Sequence, residues 1–154
     1  MRIYTAVFEG VAVSVQQDLF EIVAPSDMSI ILMELLLSQE SEAKDAEEEM
    51  LRILIQSGYT TTGSGGALVN AQPLASGDAA DSCTIARNNT TKATVGTIHT
   101  HRVEVWNIRA PHLWLPPEKM WVELKASRRA VVRLEKTPND SITMSGTLTF
   151  VEVG

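Results

Sequence analysis

Two histidines separated by one residue are the strongest chemical signal in the sequence. His99 and His101 lie in the segment 97–108, where residues alternate as in a β-strand. Because side chains at positions i and i+2 of a strand point to the same face, both imidazoles could bind one metal ion. Glu104 follows closely in the sequence. The alternation predicts one face that carries His99, His101, Val103 and Val105, and an opposite face that carries Arg102, Glu104 and Trp106.

A structural role is the alternative for these histidines, with the imidazoles facing the protein interior or a neighbouring subunit. A metal centre of three protein ligands needs a third side chain on the same face. Glu104 is expected on the opposite face, and His112 follows Pro111 in a bend. The sequence therefore predicts no metal site, and His99 and His101 remain its only metal-like pair.

Other reactive residue types lack the partners that their chemistry needs. The chain has one cysteine, Cys83, which excludes an internal disulfide and a metal site built from cysteines. A nucleophilic thiol requires a nearby base, and no neighbour in the sequence supplies one, so a buried structural thiol is expected. The glycine-rich segment 62–66 is followed by Ala67 and Leu68 where a phosphate-binding P-loop has Lys and Ser or Thr. We assign no catalytic or cofactor-binding residue, and we expect the protein to be non-enzymatic.

Large apolar side chains are interpreted as core before they are interpreted as a binding surface. Trp106, Trp114 and Trp121 provide most of the aromatic bulk, with Trp114 in the bend 113–117. Exposed aromatic residues favour interfaces, but packing in the core or at a corner is the expected role. The methionines of the apolar regions, Met28, Met33 and Met50, are likewise expected to fill the core.

Composition limits the possible classes of protein. At 154 residues the chain is most simply one domain, 1–154, that is long enough to bury a core. A formal net charge of −6 with scattered basic residues argues against a nucleic-acid surface. The apolar run 28–37 is about half of a membrane span, and the start of the chain does not resemble a signal peptide. We expect no membrane partner and a reducing cytoplasm as the site of synthesis.

Short strands separated by turns dominate the rest of the pattern. Such spacing predicts a β-sandwich or barrel. Segment 57–81 is expected to be mostly loop, with at most one helical turn, and 137–140 is a strong turn. The strand candidates outside 28–56 are 2–9, 11–16, 19–24, 82–87, 97–108, 121–124, 130–134 and 142–153.

The stretch 28–56 is ambiguous between strand and helix. Asp45 and Glu48 have capping-box spacing, and the apolar residues of 50–55 lie near a helical stripe, which favours a helix over 46–56. The same residues also alternate as a strand, and 28–37 would then be a strand buried on both faces. Periodicity alone does not decide between the two.

Four segments in order resemble small proteins from the structural gene modules of tailed bacteriophages. They are YTAVFEGVAVSVQQDLFEIVAP, LLLSQESEAKDAEEEMLRILIQSGYTTTGSGG, GDAADSCTIARNNTT and DSITMSGTLTF. The resemblance implies an all-β, jelly-roll-like antiparallel sandwich with at most short helical turns. It favours the β interpretation of the ambiguous stretch, with Met28–Ser38 and Glu48–Gln56 as paired strands joined by an exposed acidic connection, Ser41–Glu47.

The resemblance also implies a function. Some members of this group are capsid cement or decoration proteins, which bind the major capsid protein on the virion surface and stabilise the head, often as trimers at local threefold positions. A tail, head–tail or receptor-binding protein is the alternative within the same class. In a different class, His99-Thr-His101 resembles the metal motif of cupin enzymes, although Glu104 follows too soon and the second cupin motif is absent.

Overall fold

Nearly all regular structure in the chain is β-strand. The computed structural model describes residues 1–42 and 48–154. Within those ranges the only helical segment is one 3-10 turn, Glu118–Met120, and no helix there is long and apolar enough to cross a membrane. The strands are β1 (Arg2–Val13), β2 (Gln17–Val23), β3 (Ser29–Gln39), β4 (Met50–Thr61), β5 (Ala67–Leu68), β6 (Gln72–Pro73), β7 (Thr84–Asn89), β8 (Thr94–Asn107), β9 (His112–Trp114), β10 (Val122–Leu124), β11 (Arg129–Leu134) and β12 (Ile142–Val153).

The strands form two antiparallel sheets with jelly-roll connectivity. The first sheet has the order β6-β1-β12-β3, with β9 and β10 both paired to β3, and the second has the order β5-β7-β2-β11-β4-β8. Strands β1 to β4 alternate between the sheets, and β12 and β11 return between them, as in a long hairpin wrapped into two layers. The predicted all-β, jelly-roll-like sandwich is confirmed.

The core lies between the sheets and follows the alternation of the strands. Phe8 and Phe20, from opposite sheets, have ring centroids 5.2 Å apart, and Tyr4 stacks on Phe150 at 5.6 Å. Burial of these rings removes large apolar areas from water and supplies much of the driving force for folding. Alternating residues of 130–134 and 142–153 give β11 and β12 their inward faces, and the buried members are Ala130, Val132, Leu134, Ile142, Met144, Leu148 and Phe150.

The ambiguous stretch is β-strand, and the predicted pairing within it is wrong. Residues 50–61 form β4, so a helix over the described part of 46–56 is excluded. However, β3 pairs with β12, β9 and β10, whereas β4 pairs with β11 and β8 in the other sheet. The connection therefore crosses from one sheet to the other, as jelly-roll wrapping requires. Most of the expected acidic connection, residues 43–47, lies outside the described residues.

The strand that is covered on both faces is β4, whereas this was expected from the sequence for the segment that forms β3. Leu51, Ile53 and Ile55 of β4 face the core, and Leu54 on its other face is also buried, so β4 is covered on both sides. By contrast, β3 was expected to be buried on both faces, yet its Leu36 is 37% exposed. The outer face of the first sheet is therefore open to solvent around Leu36, whereas Val151 at its other end is 1% exposed.

The predicted loop at 57–81 is shorter than expected. Strand β4 continues to Thr61, and the short strands β5 and β6 fall within the rest. The segment 62–93 then returns along the second sheet, where β5 pairs with β7 and β7 with β2. Tyr59, Ala93 and Val131 form a small apolar cluster of their own, separate from the main core. This segment therefore covers part of the outer face of the second sheet.

Candidate functional site

The two histidines lie on β8 where a bulge interrupts its pairing with β4. Ile55 is opposite Arg102 and Gln56 is opposite Thr100, so His101 is the extra residue. The Oγ of Ser57 and the Nε2 of His101 are 2.7 Å apart, and His99 is opposite Ser57. Burial lowers the pKa of His101, and the neighbouring His99 lowers it further. This favours a neutral imidazole at neutral pH.

The bulge also makes the predicted face assignment wrong. Ser57, the partner of His99, is opposite the core residue Ala130, so His99 lies on the core side of β8. Leu54, the partner of Val103, is opposite Arg133 on the outer side. His99 and Val103 therefore do not share a face, because one inserted residue reverses every side chain beyond it.

Glu104 contacts His112 and is not a neighbour described for His99 or His101. Its carboxylate is 3.7 Å from the Nε2 of His112, which is 5% exposed on β9. Burial lowers the pKa of His112, and Glu104 opposes that shift. In the described ranges, the only three metal-ligating side chains close enough to share an ion lie elsewhere. The pair His99 and His101 is thus left with a hydroxyl neighbour, Ser57, in place of a third ligand.

A cleft of ≈ 490 Å³ opens beside this pair, at the edge of the sandwich. Ser57 and His99 line it from the second sheet. Glu123 of β10 and Lys125, which directly follows β10, line it from the first. Lys125 and Glu123 form an exposed ion pair with each other. A hydroxyl that contacts a neutral imidazole is part of a nucleophile–base arrangement, but that chemistry also needs a group that orients the base. The neighbours described for His101 are Ser57 and His99, which do not include such a carboxylate.

The group of three metal-ligating side chains consists of Asp81, Cys83 and Glu152, whose ligand atoms lie within 4.8 Å of one another. Glu152 is buried and accepts hydrogen bonds from the backbone N–H of Ser82 and, at 3.8 Å, from the Cys83 thiol. Burial raises the pKa of the Cys83 thiol, and the two carboxylates raise it further. The thiol is therefore protonated at neutral pH, and the group joins the segment before β7 to β12.

The tryptophan side chains mainly pack against other residues of the protein. Trp106 and Trp114 are 4% and 3% exposed, which confirms core packing, and Trp121 is half-buried. The indole N–H of Trp106 donates a hydrogen bond to the carbonyl oxygen of Ala110. Of the three methionines expected in the core, Met28 and Met33 are half-buried, but Met50 is 42% exposed. That expectation is wrong for Met50 because it lies at the exposed start of β4.

A buried network of charges on the outer side of the second sheet was not predicted. Arg133 binds Asp18 through Nε and Oδ1 at 2.6 Å, and its Nη1 donates to the hydroxyl of Tyr59 at 2.6 Å. Its Nη2 donates to the carbonyl oxygen of Ala93 at 2.8 Å, while the Ala93 N–H donates to Asp18 at 2.7 Å. These contacts fasten the segment 62–93 to the sheet and occupy the charged groups.

Glu21 has the same role for the glycine-rich loop. It accepts hydrogen bonds from the hydroxyl of Thr62, the N–H of Gly63 and the side-chain amide of Asn89, at 2.8, 3.0 and 2.8 Å. It also forms an ion pair with Arg129 at 2.8 Å. A Cβ at Gly63 would lie 2.4 Å from the carbonyl oxygen of Thr91. The loop is therefore a packed connection, as expected, with its N–H at Gly63 directed to Glu21.

Internal contacts among the described residues leave much of the outer face of the first sheet open. One row across four strands consists of Val7, Thr147, Leu36 and Leu113, which are paired in register. Val7, Leu36 and Leu113 are 47%, 37% and 53% exposed. We define the outer face by the residues that alternate with the core positions: Ile3, Thr5, Val7, Glu9, Ile31, Glu34, Leu36, Ser38, Leu113, Glu123, Ser145, Thr147, Thr149 and Val151. Val151, near the end of β12, is the buried member of this set, at 1% exposure.

This outer face is poor in charge. Of the residues that define it, Glu9, Glu34 and Glu123 alone are ionisable, and the others carry methyl or hydroxyl groups. A sheet face of this composition can bind another protein by burying aliphatic area, with hydroxyl groups available for hydrogen bonds. It offers no group suited to general acid–base catalysis beyond the three carboxylates. Sequence reasoning missed it because β3 was expected to be covered on both faces.

The comparisons with known proteins do not extend this picture: no family model matches the chain, and neither does any of the curated proteins or solved structures compared with it.

Proposed function

We propose that this protein is a structural component of a tailed-phage virion, and specifically a capsid cement or decoration protein that binds the major capsid protein and stabilises the head. The observation that carries the proposal is the outer face of the first sheet, which is mostly aliphatic and hydroxyl-bearing and has few charged groups. The ordered segments that resemble phage structural proteins supply the class of partner. The virion surface is the corresponding location.

The outer face suits a lattice because it is preformed. Its strands are hydrogen-bonded to one another over long registers, ten positions between β1 and β12 and ten between β12 and β3. A rigid surface loses little conformational entropy on binding, so the apolar area buried is not offset by ordering. The partner that fits is a flat aliphatic surface with a basic group to meet Glu34.

The proposal can be tested on particles of the phage that encodes this chain. Mass spectrometry of purified particles should detect the chain, and cryo-EM should place it on the shell. Particles made without it should bind the purified protein when it is added back and then survive heating longer. Absence of the chain from particles would overturn the proposal, and density on the tail would favour the accessory role instead.

A substitution pair connects the test to the outer face. Leu36→Glu places a charge in the middle of the exposed row and should reduce binding to particles at least about tenfold. The control is Leu68→Glu, because Leu68 is 76% exposed on β5 of the other sheet. Equal binding by both variants would exclude the outer face as the contact. Circular dichroism would verify that both variants are folded.

The cupin-like alternative has its own decisive measurement. Protein purified without an affinity tag would be analysed for Fe, Mn and Zn. A stoichiometric metal that is lost in the double variant His99→Ala/His101→Ala would overturn the structural role. We expect equal, trace metal in both proteins, because Glu104 contacts His112 and does not complete a set with the histidine pair.

A further inference from the structure

Strand β8 is a long free edge of the second sheet. It pairs with β4 on one side, and it ends the strand order of its sheet. The twelve residues from Thr94 to Val105 are all exposed, so the described chain covers neither of its faces. An edge strand presents unpaired N–H and C=O groups, which are a template for pairing with another strand.

Only part of this edge is regular enough to pair. Bulges interrupt β8 near His101 and again before His99, and Val95 and Gly96 have positive φ angles of 61° and 115°. Such irregularities protect an edge from unwanted pairing. From Arg102 to Asn107, however, the register with β4 is continuous. The unprotected part of the edge therefore starts at Arg102.

Among antiparallel pairings of two copies centred on residue 102, 103 or 104, the charges of this segment favour one. Two copies of β8 that pair antiparallel are related by a twofold axis perpendicular to the sheet, and each residue keeps its face. With the axis at Val103, Arg102 is opposite Glu104 of the partner subunit, and Glu104 is opposite Arg102 of the partner subunit. With the axis at residue 102 or 104, two arginines or two glutamates are opposite each other. Opposite charges across a strand pair stabilise it and like charges destabilise it.

We propose that β8 pairs antiparallel with β8 of a second copy of this chain, with Val103 on the twofold axis. This joins the two second sheets into one continuous sheet. In this register residues 102–104 of the two copies face each other, and the pairing covers part of Val103, which is 62% exposed. Glu104 is half-exposed, and the contact described for it is His112 at 3.7 Å. The contact is isologous, so it differs from the heterologous contacts of the threefold trimer that the sequence resemblance implies.

The test is the oligomeric state of the full chain and of charge-reversed variants, measured by sedimentation equilibrium. The wild-type protein should sediment as two chains. Arg102→Glu and Glu104→Arg each place like charges opposite each other twice, and each should weaken the dimer at least about tenfold. A mixture of the two variants should form a heterodimer, because every facing pair is then of opposite charge. The double variant Arg102→Glu/Glu104→Arg should dimerise with itself.

A control and a second measurement keep the test decisive. Lys125→Glu reverses a charge outside β8 and should leave the dimer intact. Amide exchange in the wild-type protein should be slower at residues 102–104 at high concentration than at low concentration. A monomer, a trimer, a dimer unaffected by Arg102→Glu, or variants that fail to associate when mixed would each overturn the proposal, and concentration-independent exchange would do the same without any variant.

Discussion

Arg133 and Asp18 form a buried ion pair with two hydrogen bonds on the outer side of the second sheet. Nε and Oδ1 are 2.6 Å apart, and Nη2 and Oδ2 are 3.1 Å apart. The arginine side chain is 8% exposed and the aspartate is fully buried. The guanidinium also lies over the ring of Tyr59, at 4.5 Å from its centroid. Removal of either charge would therefore leave the other buried and uncompensated.

The first prediction is that Asp18→Asn lowers the free energy of unfolding by about 3–5 kcal/mol, the cost of leaving a buried charge unpaired. The matched control is Glu123→Gln, which breaks the exposed ion pair with Lys125 and should change stability by less than about 0.5 kcal/mol. Urea unfolding of the three proteins measures both effects. If Asp18→Asn changed the free energy of unfolding as little as Glu123→Gln, the buried ion pair would contribute no more to stability than the exposed one.

The second prediction concerns two glycines with positive φ. Gly96 has φ +115°, and a Cβ there would lie 2.1 Å from the carbonyl oxygen of Gly58. Gly77 has φ +94°, but a Cβ there would meet nothing within 4 Å. Gly77→Ala should cost about 1–2 kcal/mol from backbone strain alone. Gly96→Ala should cost clearly more, because the backbones of β4 and β8 must separate.

Thermal unfolding of the two glycine variants gives the comparison directly. The difference between them isolates the close approach of the backbones, since both share the left-handed conformation. Equal melting temperatures would mean that the bulge between β4 and β8 adapts to a methyl group. That result would also mean that the irregular part of β8 before Arg102 can rearrange.

The sequence predicts the fold class better than the positions of the charges. Alternation in β12 was sufficient because one of its faces is core and the other is open. Both faces of β4 are covered, and Leu54 on the outer side is apolar as well. The apolar residues of β4 therefore do not alternate strictly, and their pattern fits a helix as well as a strand. The sheet to which β3 and β4 belong depends on wrapping across the whole chain, which no local pattern contains.

The buried ion pair shows why the site was harder to find than the fold. Arg129 and Arg133 are four residues apart and share a face of β11, but Asp18 and Glu21 are three residues apart. Simple alternation would place the two acids on opposite faces of β2. Phe20 is opposite Val132 and Asp18 is opposite Arg133, so Leu19 is an extra residue in β2. This extra residue brings the two acids to the same face. A bulge of one residue leaves no sign in the composition.

The third prediction is that Gly146 and Phe8 are coupled. A Cβ at Gly146 would lie 2.5 Å from Cε1 of Phe8 and 3.0 Å from Cδ2 of Leu37. Gly146→Ala should therefore cost about 1–3 kcal/mol from overpacking. In the background Phe8→Leu, which makes room, the same change should cost less. Urea unfolding of the four proteins in this double-mutant cycle measures the coupling, and strict additivity would contradict the contact.

The fourth prediction is a loss of stability on acidification that depends on His112. Its pKa in the folded protein is lowered from 6.5, chiefly by burial, while Glu104 opposes the shift. Below about pH 6.5 the unfolded chain therefore binds more protons at this residue than the folded protein, and the free energy of unfolding falls as the pH falls. One proton contributes at most about 1.4 kcal/mol per pH unit.

Other groups titrate as well, so the comparison must be made between variants. The pKa of His101 is also lowered by burial, whereas the pKa values of Asp18 and Asp81 are raised by burial and act in the opposite direction. Unfolding free energies at pH 7.5 and 5.5 should differ less in His112→Asn than in the wild type. Leu113→Asn, at the exposed neighbouring position, should retain the wild-type difference. An unchanged pH dependence in His112→Asn would mean that this imidazole is protonated as easily in the folded protein as in the unfolded chain.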